Sequence, residues 1–83
     1  MGMFFVYILR SLGNGKFYIG STKNLAGRIE RHNRGSNVYT RKFRPFELVW
    51  NEKYNTRAEA IRRELQIKGW KSKALIEKLI ENS

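Results

Sequence analysis

The sequence predicts an α+β domain with the element order β-β-α-β-α-α. Two observations carry that expectation. Residues Phe4 to Ser11 are rich in β formers and apolar on both parities, which fits a strand covered on both faces and central to its sheet. Polar capping residues then stand immediately before three segments with helical apolar spacing.

The elements follow in order. Leu12-Gly13-Asn14-Gly15-Lys16 carries the Asn-Gly turn signal, so Lys16 to Thr22 reads as the returning strand of a hairpin. Thr22 or Asn24 can cap a helix that ends at Gly35. Ser36 to Pro45 is polar and basic and reads as a loop. Phe46 to Tyr54 is a third strand with Pro45 just outside it. Thr56-Arg57-Ala58-Glu59 is a capping box opening a helix that runs to Gly69. Ser72 caps a last helix, on which Leu75, Ile76, Leu79 and Ile80 form an apolar stripe. Trp50 and Trp70 read as core residues in preference to interface residues.

Composition narrows the chemistry. The chain has 83 residues, enough for one small domain spanning residues 1–83, and 41% of them are hydrophobic, too many for a disordered polymer. All seven acids are Glu, Cys and Asp are absent, and His32 is the lone histidine. Disulfides, thiolate zinc sites, Ser-His-Asp triads and multi-Asp two-metal centres are thereby excluded. The sequence contains no run long and apolar enough to cross a bilayer. The apolar start lacks a preceding basic segment and a cleavage site, so it reads as a strand, and the cytoplasm is the expected location.

The formal net charge is +10. Eight basic residues and one acid, Glu30, precede residue 43, whereas nine and six follow. Arg28, Arg31, Arg34, Arg41, Lys42 and Arg44 fall in one stretch with Tyr39 and Phe43 among them. Guanidinium forks suit phosphates and aromatic rings stack on bases, so a nucleic acid is the expected partner. A membrane surface is disfavoured, because no segment opposes a wholly apolar helical face to a basic one.

Two helices break their own apolar pattern. Arg28 and His32 share the stripe of Leu25 and Ile29, and Glu64 and Lys68 fall on the stripe expected from Ile61 and Leu65. Each alone suits a snorkelling or edge position. Together they supply an anion binder, a proton carrier and a metal ligand, the types that phosphoryl chemistry needs. Tyr7 and Tyr18 lie on neighbouring strands. An even hairpin loop puts both rings on one face; an odd or bulged loop separates them. Gly20, two residues beyond Tyr18, marks close approach of another group.

These residues resemble the GIY-YIG nucleases. Phe5-Val6-Tyr7 stands for the first half-motif and Tyr18-Ile19-Gly20 for the second, with ten residues between the tyrosines. Arg28 follows Gly20 by eight and His32 follows by four more, similar to the family's Arg-x-x-x-His helix. Glu64 matches its metal-binding glutamate. In size the chain is most similar to small stand-alone bacterial members. The resemblance implies a three-stranded antiparallel sheet flanked by helices, and a divalent-metal-dependent endonuclease cutting DNA, with RNA left open. It also implies roles. Tyr7 would activate water or belong to the relay that does, and Tyr18 would position the scissile phosphate. Arg28 would stabilise its charge, His32 would support proton transfer, and Glu64 would hold one Mg²⁺ or Mn²⁺. Gly20, Arg31, Arg34, Arg41, Lys42, Arg44 and Lys68 are expected on the substrate side.

The chain departs from the family pattern twice. Phe5 replaces the first glycine, and the Asn found beyond the metal-binding helix in many active members is missing from Ser72 to Leu79. Lys68, Lys71 or Lys73 can meet phosphate there instead. Because 83 residues leave no room for a separate DNA-reading domain, selectivity is expected from nucleic-acid structure, self-association or a protein partner. The alternatives are a nucleic-acid-binding module without turnover and a protein-interaction domain with a basic face.

Overall fold

Four successive residues near the start of the chain, Val6, Tyr7, Ile8 and Leu9, are buried. A strand with that pattern must be covered on both faces, and the rest of the fold supplies the covers. The structure, a computed structural model, describes residues 3–82. Met1, Gly2 and Ser83, the ends of the expected domain, lie outside the described residues. The elements are β1 (Phe4–Ser11), β2 (Phe17–Thr22), α1 (Leu25–Arg34), a 3-10 turn (Arg41–Phe43), β3 (Phe46–Tyr54), α2 (Arg57–Trp70) and α3 (Lys73–Glu81). They follow the order β-β-α-β-α-α, and the antiparallel sheet runs β2-β1-β3 with β1 central.

Each face of the sheet has its own cover. Val6, Ile8 and Trp50 pack against Ala60 and Ile67 of α2 and Ile76 of α3. Tyr7, Leu9 and Phe46 pack against Leu25 and Ile29 of α1 and against Phe43. Trp50 lies in this core and Trp70 packs against it, so both tryptophans are packing residues. The hairpin register pairs Tyr7 with Gly20 and Leu9 with Tyr18, which puts Tyr7 and Tyr18 on the α1 face.

The third strand changes parity on the way. Ile8 pairs with Trp50 but Leu9 pairs with Leu48, so Val49 is an extra residue in β3. Strict alternation would place Phe46, Leu48 and Trp50 on one face. The bulge instead sends Phe46 and Leu48 to the α1 side and Trp50 to the α2 side.

The expected N-cap side chains bond, although Glu59 takes the Thr56 hydroxyl and not, as the capping box predicts, a free amide. Asn24 accepts a hydrogen bond from the Gly27 amide and starts α1. Gly35 ends it in the left-handed region at φ 82, with its amide on the His32 carbonyl and the Ser36 amide on that of Arg31. Thr56 accepts from the Glu59 amide at the start of α2, and the Glu59 carboxylate accepts from the Thr56 hydroxyl. Ser72 caps α3 through the Leu75 amide.

The apolar stripe expected on α2 is corrected by one residue. Ile61 and Leu65 are 41% and 61% exposed. The inward face carries Ala60, Arg63, Glu64 and Ile67, the i, i+3, i+4, i+7 set. Ala60 and Ile67 fill the core. Arg63 lies over the rings of Trp50 and Trp70 and donates to Glu52 at 3.1 Å. With Ala60 and Ile67 turned to the sheet, Ile61 and Leu65 fall on the outer side of the helix.

Candidate active site

An edge strand lets groups from opposite faces of a sheet meet. Tyr7 stands on the α1 face of β1 and its ring crosses the neighbouring strand at Gly20. A Cβ at Gly20 would lie 2.6 Å from the phenol carbon Cζ, so only glycine leaves room for the crossing. One residue on, Ser21 lies on the α2 side, and its hydroxyl donates to Glu64 Oε1 at 2.6 Å. The sheet edge therefore joins a phenol from one face to a carboxylate from the other. They open on a cleft of about 530 Å³ that Arg28, Arg31, His32 and Lys68 also line.

Helix α1 delivers its two cleft residues by spacing. Arg28 and His32 are four residues apart and share the stripe whose apolar members, Leu25 and Ile29, pack on the sheet. The far end of α1 is pinned by Asn33. Its side-chain carbonyl accepts from the Phe46 amide at 2.7 Å and its amide donates to the Phe46 carbonyl at 3.1 Å. Asn33 carried no signal in the sequence, because a side chain bonding a strand thirteen residues away has no periodicity. Ser21, Ser36 and Asn37, which also line the cleft, were likewise not singled out beforehand.

Electrostatics set the resting protonation states. Burial pushes the Tyr7 phenol above its usual value of 10.0; Arg28 opposes this through charge and hydrogen bonding, and the Glu64 carboxylate adds to it. Tyr7 is thus a neutral phenol at neutral pH. Burial, and then the charge of Arg28, hold His32 below its usual 6.5. Its ring meets Tyr7 and Phe46 edge-on at 6.4 and 5.5 Å, and its buried Nδ1 has no partner among the described residues. His32 is therefore a neutral imidazole at neutral pH. Glu64 is engaged on both oxygens, with Ser21 on Oε1 and the Lys68 ammonium on Oε2 at 2.7 Å.

Other singled-out residues sit elsewhere. Tyr18 does not line the cleft. Its ring stacks on Phe43 and meets Phe46 edge-on, and its hydroxyl accepts from Asn14 at 3.2 Å. Arg34 pairs with Glu30. Arg44 donates to the carbonyls of Arg34 at 3.1 Å and Arg41 at 2.7 Å, which closes the end of α1. Lys42 stands over the Phe43 ring at 5.1 Å. Arg41 and Lys42 belong to the 3-10 turn and do not line the cleft.

The edge of the three-stranded sheet thus gathers a tyrosine, an arginine, a histidine and a glutamate around one cleft. The chain is a member of the GIY-YIG family: the family's sequence model, described as the GIY-YIG catalytic domain, matches residues 3–78. It is 44% identical over 69 residues to UPF0213 proteins of Staphylococcus aureus strains Mu3 and COL, covering 82% of this chain and 83% of the relative. The solution NMR structure of a UPF0213 protein from Bacillus halodurans matches with a TM-score of 0.63 at 33% identity, covering 98% of this chain and 85% of that one. No helix among the described residues is long and apolar enough to cross a membrane.

Proposed function

We propose that the cleft hydrolyses phosphodiester bonds of DNA with the help of one divalent cation, Mg²⁺ or Mn²⁺, and selects its substrate by nucleic-acid structure. The observation that carries this reading is the meeting of Tyr7, Arg28, His32 and Glu64 in one cleft although they come from opposite faces of the sheet. Arg28 faces an incoming phosphate and offsets its charge. His32, neutral at rest, accepts a proton. Tyr7 hydrogen-bonds with Arg28 and meets the His32 ring edge-on, and its phenol can accept from one partner while donating to another.

The donor set fits a hard cation held weakly. Glu64 and the Ser21 hydroxyl are oxygen ligands, and no group of three or more His, Cys, Asp or Glu side chains suited to a metal exists among the described residues. Mg²⁺ accepts such a site when waters and substrate phosphate complete its shell. An ion held there would stabilise charge on the leaving oxygen. For it to bind, Lys68 must swing away from Oε2, and the freed ammonium then faces phosphate.

The test is a panel of labelled duplex, flap and single-stranded DNAs, with RNA counterparts, incubated with and without Mg²⁺ or Mn²⁺. Structure-dependent cleavage that disappears in chelator and in Glu64→Ala supports the reading. Cleavage unchanged in Glu64→Ala comes from another source and removes it.

One observation favours a second reading, a nucleic-acid-binding module without turnover: the Lys68 ammonium already neutralises Glu64. This reading predicts salt-sensitive binding without products, and equal affinity in Tyr7→Phe, Glu64→Ala and the parent.

A further inference from the structure

The cationic surface does not end at Arg28. A second depression of about 190 Å³ opens beside the cleft and shares Ser21, Arg28 and Arg31 with it. Its outer wall adds Lys23, from the turn between β2 and α1, and Arg57, the first residue of α2. Four cations from three segments thus converge on one small space.

Their partners decide what the space is for. The ion pairs among the described residues engage Arg10, Arg34, Arg63 and Lys68. None engages Lys23, Arg28, Arg31 or Arg57. The Arg57 guanidinium lies over the Phe4 ring at 5.2 Å, which steadies the head group without using its N–H donors. A solvated basic face would scatter such charges or pair them. Here like charges are gathered in a concavity, and an anion entering it relieves their mutual repulsion.

We propose that this depression binds a second phosphate group of the nucleic-acid strand whose other phosphate occupies the larger cleft. The inference rests on the nucleic-acid reading of that cleft. Two adjoining phosphate seats sharing Arg28 and Arg31 would lay the strand across the start of α1 in one direction. The group is an internal phosphodiester or a terminal phosphate; the chemistry recognised is the same.

Binding in chelator, without cleavage, tests it. Fluorescence anisotropy of a labelled single strand is followed as salt is raised, for the parent, for Lys23→Ala/Arg57→Ala, and for Arg62→Ala/Lys78→Ala, which removes equal charge outside both cavities. The expected result is about tenfold weaker binding for the first pair, a salt slope shallower by about 0.7 for the one phosphate no longer neutralised on a single strand, and less than about twofold change for the second. Arg57→Lys should retain most of the affinity, which separates lost charge from a disturbed helix start. Internal methylphosphonates, one position at a time, and oligonucleotides with and without a terminal phosphate distinguish the two sources. The modification to which the Lys23/Arg57 variant has become indifferent identifies the phosphate that the parent holds. Equal weakening by both double variants, or an unchanged slope, overturns the proposal. A parent that never cuts yet shows the selective loss removes the nuclease reading and leaves this one standing. A parent that cuts while the Lys23/Arg57 variant binds unchanged does the reverse.

Discussion

At the scale of single residues, Arg28 controls the cleft. It faces both Tyr7 and His32 and lowers the proton affinity of each. Arg28→Gln is therefore expected to raise both titrations, towards 6.5 for His32 and further above 10.0 for Tyr7. Proton NMR reads this directly, since the chain has one histidine. Glu64→Gln should move Tyr7 the opposite way, because the carboxylate charge helps hold the phenol protonated. An unmoved Tyr7 signal in both variants would show that the three groups do not face one another. His32 also links folding to pH. Its folded value lies below the unfolded value of 6.5, so its contribution is present above about pH 6.5 and is lost as pH falls towards the folded value. Urea midpoints of the parent should drop across that window, and those of His32→Gln should drop less.

Among elements, α2 decides whether a carboxylate reaches the cleft. Its inward face is Ala60, Arg63, Glu64 and Ile67, two apolar and two charged, so its apolar pattern is weak. Ile67 is fully buried and Leu65 is exposed. Ile67→Ala should cost about 2–5 kcal/mol, and Leu65→Ala no more than about 0.5 kcal/mol. Equal losses in chemical denaturation would mean that the helix is rotated, with Glu64 turned out of the cleft. The end of α1 depends on Asn33 in the same way. Asn33→Ala leaves the Phe46 amide and carbonyl without their side-chain partner and should cost about 1–3 kcal/mol. The same change loosens the helix that carries Arg28 and His32, so any cleavage rate should fall with it.

The whole molecule carries a formal charge of +10, and of the four ion pairs among the described residues only Arg10–Glu47 and Arg34–Glu30 are exposed on both sides. Self-repulsion should make it less stable at low ionic strength, with the thermal midpoint rising between about 10 mM and 150 mM salt as the screening length shrinks from about 30 Å to about 8 Å. A flat or falling midpoint would show that self-repulsion does not limit the stability of this chain. The sequence by itself determined what is local or periodic. The doubly apolar run Val6–Leu9 required a central strand. Thr22 or Asn24, Thr56 and Ser72 marked three helix starts, and the spacing of Tyr7, Tyr18, Arg28, His32 and Glu64 outlined the family. Tertiary structure alone decided the rest. The extra residue at Val49, the face that α2 presents, the lock of Asn33 on Phe46, and the position of Tyr18 outside the cleft all depend on how helices seat on a sheet. Caps and periodicities are written within a few residues of one another, whereas those outcomes are settled by packing between segments far apart in the chain.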